Sequence, residues 1–270
     1  MKKLLLSVSG GRSSCYMAIH CMTSDKYRDY DKVMVFANTG LEHYETILFL
    51  KNLENFLSTK IFVVEAVFSD VKGVGVRHKI VDWDNLSMDG TPLYEAIKNR
   101  NNAGSYGVYN TGAPYCSSMT KERVIHSFAK EYFATTKYIS AIGFRKEDMP
   151  LRVVPIQVKQ MIDRKIYPLL SDFNPPIGLN ELDKIWSELP FQLGIKSRYG
   201  NCQLCFKKSD LNLIETIQQN PSVIEWYDKM EKEFNGNFFR GRKTVMDLLE
   251  LSKTRRTAFL SDEGESCMCG

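Results

Sequence analysis

No uninterrupted apolar run in this 270-residue chain is long enough to cross a bilayer, so no helical membrane span is expected. The start, Lys2-Lys3-Leu4-Leu5-Leu6, has the charge-then-apolar order of a secretion signal. Its apolar stretch breaks at Ser9-Gly10-Gly11, and the expected location is the cytoplasm. A strong charge of one sign is also lacking. Lys and Arg number 36 against 32 Asp and Glu, and the resulting +4 suits phosphate-bearing ligands without by itself arguing for nucleic acid. The 4 histidines show no metal-ligand spacing with one another. Repeats and low-complexity segments are absent as well, which excludes solenoid and fibrous architectures.

What is there is globular: 43% hydrophobic and 25% charged residues, enough for one large domain or a domain with an appendage. The first two-thirds alternates strand and helix patterns, the mark of a parallel sheet covered on both faces. Strands are expected at Leu4–Val8, Val33–Ala37, Ile61–Ala66 and Tyr138–Ile142, and helices at Ser14–Thr23, Tyr44–Phe56, Leu93–Asn99 and Lys121–Tyr132. Residues 70–114 mix Gly, Asn and Asp with short runs such as His78–Trp83 and are harder to read. Beyond the turn-rich Asp172-Phe-Asn-Pro-Pro the character changes, with helices expected at Glu181–Glu188 (capped by Asn180), Val223–Phe234 and Thr244–Leu251. The expected organisation is a nucleotide-binding α/β domain over residues 1–172 and a smaller helical region over 173–270 that carries most of the cysteines.

The densest signal is Ser7-Val-Ser9-Gly10-Gly11-Arg12-Ser13-Ser14, placed between an apolar strand and a helix. Glycines let the backbone turn and approach an anion, and the following helix points free N–H groups and its positive dipole end toward that anion. No Gly-Lys-Ser/Thr closes the loop, so it is not the P-loop of kinases and GTPases. It resembles the PP-loop of the N-type ATP pyrophosphatases, written Ser-x-Gly-Gly-x-x-Ser. The plain alternative is an ordinary Ser/Gly-rich turn.

Further segments resemble the phosphoadenosine-phosphosulfate-reductase-like branch of that superfamily, in the same order. Phe36-Ala-Asn38-Thr39-Gly40-Leu-Glu-His-Tyr-Glu-Thr46 is similar to the family's Asp-Thr-Gly-x-x-Phe-x-Glu-Thr, which implies that Asn38, Thr39 and Gly40 line the adenine or ribose side of the site. Gly143-Phe-Arg145-Lys-Glu-Asp-Met-Pro-Leu-Arg152 resembles Gly-x-Arg-x-x-Glu-Ser-x-x-Arg, with Met149 where the family has Ser. The resemblance makes Arg145 and Arg152 an anion clamp, since guanidinium bonds two phosphate or sulfate oxygens at once. The alternative is a surface pair neutralised by Glu147 and Asp148. The fold implied is a twisted, mainly parallel five-stranded sheet with helices on both faces, Rossmann-like and of the adenine nucleotide alpha hydrolase type, plus the helical C-terminal region.

Seven cysteines in a reducing compartment do not read as a disulfide framework. Cys15 and Cys21 fall in the first helix. Cys116-Ser-Ser-Met-Thr-Lys121 resembles the Cys-Cys-x-x-Arg-Lys segment of the iron–sulfur sulfonucleotide reductases, with Ser117 in place of the second cysteine, and Cys202-Gln-Leu-Cys205 sits where that family has its later Cys-x-x-Cys. The resemblance implies a 4Fe-4S cluster held by Cys116, Cys202, Cys205 and either Cys267 or Cys269, near Lys121. Zinc is the competing reading, because four cysteines are also a normal structural zinc set. Glu265-Ser-Cys267-Met-Cys269-Gly270 is reminiscent of the family's catalytic Glu-Cys-Gly, and the resemblance makes Cys267 or Cys269 the nucleophile.

The implied function is a sulfonucleotide-reductase-like enzyme that binds an adenine nucleotide of the adenylyl sulfate type and performs thiol-dependent sulfur chemistry. Ser7, Ser9, Gly10, Gly11, Ser13 and Ser14 would hold phosphate, while Arg12, Lys121, Arg145 and Arg152 would neutralise it. A thiol reductant protein such as thioredoxin is an implied partner, no membrane partner is expected, and a homo-oligomer is compatible. One alternative is an ATP pyrophosphatase that adenylates a nucleic acid or small acceptor for sulfur transfer. The basic runs Arg240-Gly-Arg-Lys243 and Lys253-Thr-Arg-Arg256 favour it. Another is a non-catalytic nucleotide-binding protein on the same fold. Compact stand-alone relatives with this loop variant look like those of bacteria and their phages.

Overall fold

The computed structural model describes residues 1–69, 71, 74–149 and 164–254. Its described strands form a sheet of six in the order β4-β3-β2-β1-β5-β6. They are β1 (Lys2–Ser7), β2 (Tyr30–Ala37), β3 (Ile61–Phe68), β4 (Val76–Val81), β5 (Ile139–Ala141) and β6 (Lys165–Ile166). β1 is parallel to β2, pairing Leu5 with Val33, and parallel to β5, pairing Leu5 with Ser140; β5 is parallel to β6. Helices α1 (Arg12–Thr23) and α2 (Tyr44–Leu57) make the crossovers that parallel neighbours require.

The sheet differs from the expected five parallel strands. Only residues 69–75 separate β3 from β4, too few for a parallel crossover, so β4 turns back antiparallel and the sheet is mixed. The short run at His78–Trp83 is the residue-level trace of this edge strand. Its Ile80 is 49% exposed, which is why no clean apolar pattern marks it. The central strand does the opposite: Leu4, Leu5 and Leu6 are all buried, as both faces of a covered parallel sheet require.

The chain gathers into two compact units made of interleaved segments. The first comprises Met1–Phe36, Tyr44–Val63 and Ile125–Gly194, and the second Ala37–His43, Val64–Val124 and Ile195–Gly270. Asp172, the expected boundary, lies inside the first unit. In that unit β1 and α1 share a core in which Trp186 packs on Phe49 at 4.9 Å and both meet Phe191. Helix Leu179–Glu188 begins with Gly178 as its cap residue, so Asn180 sits within the first turn rather than capping it. The orphan N–H groups there go to carboxylates, Gly178 donating to Glu181 Oε2 (3.0 Å) and Leu179 to Glu147 Oε1 (2.8 Å).

The second unit is built on helix α3 (Thr91–Asn102), a single turn at Tyr115–Ser117, and three later helices at Asp210–Gln219, Ile224–Glu233 and Val245–Thr254. Their apolar faces form one cluster around Tyr109, Phe206, Tyr227 and Phe238. Among the described residues no helix is long and apolar enough to cross a membrane.

Candidate functional site

Two places gather the residues that the sequence singles out, one in each unit. In the first, the chain leaves β1 with the Val8 N–H still bonded to Val35 O (3.0 Å), turns through Ser9-Gly10-Gly11, and enters α1 at Arg12. Gly10 has φ +75°, and a Cβ there would lie 2.2 Å from Thr46 Cγ2 of α2. Both the left-handed backbone and the contact demand glycine. Gly11 is different. It has φ −92°, and a Cβ there would meet nothing nearer than Ser9 Oγ at 3.7 Å, so the fold itself does not require glycine at this position.

Ser14 organises the turn. Its hydroxyl donates to Gly11 O (3.0 Å) and accepts from the Ser9 N–H (3.0 Å), with Ser9 Oγ 3.1 Å away. α1 has no side-chain cap at its N-terminus and no acidic residue in its first turn, so the positive end of its dipole is not offset from within the helix. Gly143, just past β5, packs against the same turn: a Cβ there would fall 2.8 Å from Ser13 O and Ser14 Cα. Ser7, Ser9, Gly10, Gly11, Ser13, Ser14 and Gly143 are therefore brought together.

The expected cations are placed less simply. Arg12 reaches Asp183 of helix Leu179–Glu188 in an ion pair. Arg145 is buried rather than on the surface; its Nε lies 3.5 Å from Asp148 Oδ2, and its N–H donates to the same oxygen at 2.8 Å. Glu147, by contrast, bonds the Leu179 N–H. Arg152 lies outside the described residues.

The second place lies in the other unit. Asn38 and Thr39 are buried with their polar groups engaged by the protein. Asn38 Nδ2 donates to Glu65 Oε1 (2.7 Å) and Ser87 O (2.8 Å). The Glu42 carboxylate accepts from the Thr39 N–H (3.1 Å), the Thr39 hydroxyl (2.7 Å) and the Gly40 N–H (3.0 Å). Gly40, at φ +86°, runs within contact of Gly90, whose own Cβ would strike Trp226. Burial alone would raise the Glu65 carboxyl, but the Ser87 N–H, Lys79 and Asn38 together hold it below the ordinary carboxylate range.

The same short segment is tied to the cysteines by backbone. Glu42 bridges Cys202 in antiparallel fashion, and the Gln203 N–H donates to Leu41 O (3.1 Å). Cys116, Cys202 and Cys205 are 9%, 9% and 4% exposed and belong to one apolar cluster. Cys202 Sγ is 3.2 Å from Tyr227 Oη. Tyr109 is 2% exposed, and its hydroxyl has no hydrogen-bond partner among the described residues. Burial pushes this phenol well above its usual range, and Cys202, Cys116 and Cys205, close around its hydroxyl, push it further. An unbonded buried hydroxyl costs about 1–3 kcal/mol, so something with acceptor capacity would stabilise this spot.

That orphan hydroxyl beside three soft donors fits a thiolate-bound metal or cluster in kind. Among the described residues, however, no three His, Cys, Asp or Glu side chains are arranged to hold a metal ion. Cys267 and Cys269, the remaining expected ligands, lie outside the described residues. Lys121 occupies the π-helical turn Ser118–Glu122 that follows Cys116. Cys15 and Cys21 are of another kind, because burial drives both thiols up to about 12 and makes them packing residues.

Sequence reading did not single out Tyr109 or Tyr227, and named Glu42 only within a longer motif. The alternating tyrosine and phenylalanine around Val108-Tyr109 and Phe238-Phe239 were the available signal.

No family model matches the chain, and no solved structure matches it. A protein of Escherichia phage lambda described as "Uncharacterized nin region protein ORF290" is 24% identical over 210 residues, covering 76% of this chain and 66% of its own length. At this identity the likeness points to shared ancestry without indicating what either chain does.

Proposed function

We propose that this protein binds an adenine nucleotide through a PP-loop-type turn at Ser7–Ser14 and uses thiols to perform sulfur chemistry on it, in the manner of a sulfonucleotide reductase. The observation that carries the reading is the contrast inside the glycine pair. Gly10 is fixed by the fold, whereas Gly11, which the fold leaves open, sits bare at an uncapped helix N-terminus. A bare backbone at that point is what close approach of a phosphate requires. The hydroxyls of Ser9 and Ser14 flank it, and Ser13 opens the helix beside it.

In this reading the helix N–H groups and the serines bind and orient the phosphate. Arg145, and Arg152 by its position in the motif, add positive charge. Arg12 would have to leave Asp183 to join them. Cys116, Cys202 and Cys205 hold a 4Fe-4S cluster or zinc together with Cys267 or Cys269, and the group adjusts the site electrostatically. Whichever terminal cysteine is not a ligand supplies the attacking thiolate, which a thiol reductant such as thioredoxin regenerates.

The test is calorimetric titration of the anaerobically purified full chain with ATP, adenosine 5′-phosphosulfate and its 3′-phosphorylated form, alongside iron, sulfide and zinc analysis. Saturable binding of one adenine nucleotide supports the reading; no binding of any of them defeats it. A second reading, adenylation of a nucleic acid or small acceptor, is favoured by Arg240 and Arg242, which are exposed on a 3-10 turn. Release of pyrophosphate from ATP in the presence of RNA or DNA would select it over the first.

A further inference from the structure

The cysteine cluster holds more polar chemistry than its thiols. Tyr109 and Tyr227 are 2% and 0% exposed, and each has its hydroxyl among the cysteine side chains. Tyr227 Oη sits 3.2 Å from Cys202 Sγ, within hydrogen-bonding reach of sulfur. Tyr109 Oη has Cys202, Cys116 and Cys205 around it and no hydrogen-bond partner among the described residues.

The rings themselves are held tightly. Tyr109 packs edge-on against Phe238 at 4.8 Å and Tyr115 at 5.9 Å, and Tyr227 packs edge-on against Phe238 at 5.1 Å. Neither ring can swing its hydroxyl out to water without dismantling the shared Phe238 contact. A phenol at neutral pH is a donor, and sulfur bound to a metal is an acceptor. Leucine or phenylalanine would fill the same volumes without leaving a polar atom in an apolar core.

We propose that Tyr109 and Tyr227 are positioning residues that donate hydrogen bonds to the sulfurs of the group held by Cys116, Cys202 and Cys205, Tyr227 to the Cys202 sulfur and Tyr109 to a sulfur of that group. The inference rests on reading these cysteines as a metal or cluster site. Donors outside the ligand shell fix ligand orientation and withdraw charge from sulfur, and losing one typically weakens metal binding about 10- to 100-fold. Hydrogen bonds to the sulfurs of a cluster also set its reduction potential.

The experiment uses the full chain purified anaerobically as wild type, Tyr109→Phe, Tyr227→Phe and the control Tyr94→Phe, whose hydroxyl bonds Glu233 at the rim of the cluster. Each is analysed for iron, sulfide and zinc, then stripped and titrated with cobalt(II), the thiolate-to-cobalt charge-transfer band reporting both affinity and sulfur donation. Near-ultraviolet circular dichroism confirms that the folds match. The expected result is cobalt(II) affinity about 10-fold weaker or more in Tyr109→Phe and Tyr227→Phe, with a shifted charge-transfer band, and a control like wild type. If the wild type binds cobalt(II) through thiolates and both variants match it in affinity and band position, the proposal is overturned while the metal site stands. If the wild type shows no thiolate-bound metal at all, the site reading itself fails and the proposal falls with it.

Discussion

The phosphate turn and the cysteine cluster are held in place by different physics. The turn is set locally: eight consecutive residues, one obligatory glycine and a serine hydroxyl that closes the loop on itself. The cluster is set remotely, with Cys116, Cys202, Cys205, Tyr109 and Tyr227 arriving from separated stretches of chain and meeting only because their apolar neighbours pack together. A local device is sensitive to backbone conformation at one position, whereas a packed device is sensitive to volume anywhere within it.

The largest expected effect comes from removing volume at the packed site. Phe238 is fully buried and touches Tyr109, Tyr227 and Phe239, so Phe238→Ala should cost about 3–5 kcal/mol of unfolding free energy, read by urea titration. A cost below about 1 kcal/mol would mean the cluster is not a shared core.

At the turn the corresponding break is Gly10→Ala. The added Cβ meets Thr46 Cγ2, and the left-handed backbone strains any L side chain, which together should cost about 2–4 kcal/mol. Combining it with Thr46→Ser removes the obstructing methyl. The pair should recover part of the loss, leaving the backbone strain, and strict additivity would show that the two residues do not meet.

A smaller effect separates both devices from the frame that carries them. Asp172 accepts from His20 Nε2 (3.0 Å), Lys26 Nζ (2.5 Å) and Tyr27 Oη (2.6 Å). Burial works against its carboxylate, yet Lys26, Ser171, Tyr27 and His20 hold it down at about 2. Because the folded value lies below the unfolded one, its contribution is fully present above about pH 4 and is lost as the pH falls toward 2. The wild type should therefore lose about 2 kcal/mol more than Asp172→Asn across that interval, in unfolding titrations at each pH. Parallel curves would remove Asp172 from the account.

The same contrast explains what the sequence made legible. The Ser-Gly-Gly signature, the parallel strands with their unbroken apolar runs and helix α2 were readable, because each depends on residues close in the chain. Strand β4 was obscured by its half-exposed edge position, and helix Asp210–Gln219 was passed over although Ser209 accepts a capping bond from the Asn212 N–H. Asn180 looked like a cap because a short polar residue preceded an apolar run, but Glu147, distant in sequence, took that role. The Asn-Thr-Gly segment read as a ligand loop. Its hydrogen bonds instead close on Glu42 and Glu65, partners that no spacing rule connects. The cysteines were visible as residues, while the tyrosines beside them were not, since only tertiary packing brings them together.

The central claim, that the turn at Ser7–Ser14 receives a nucleotide phosphate, is tested most directly by Gly11→Ala. A Cβ at Gly11 meets only Ser9 Oγ at 3.7 Å, so the folded chain should keep its stability to within about 1 kcal/mol. Calorimetric titration with ATP and adenylyl sulfate should then show binding weakened about 10-fold or more relative to wild type, the loss falling on the ligand and not on the fold. Equal affinity in the two proteins, or no binding by the wild type, would contradict the account.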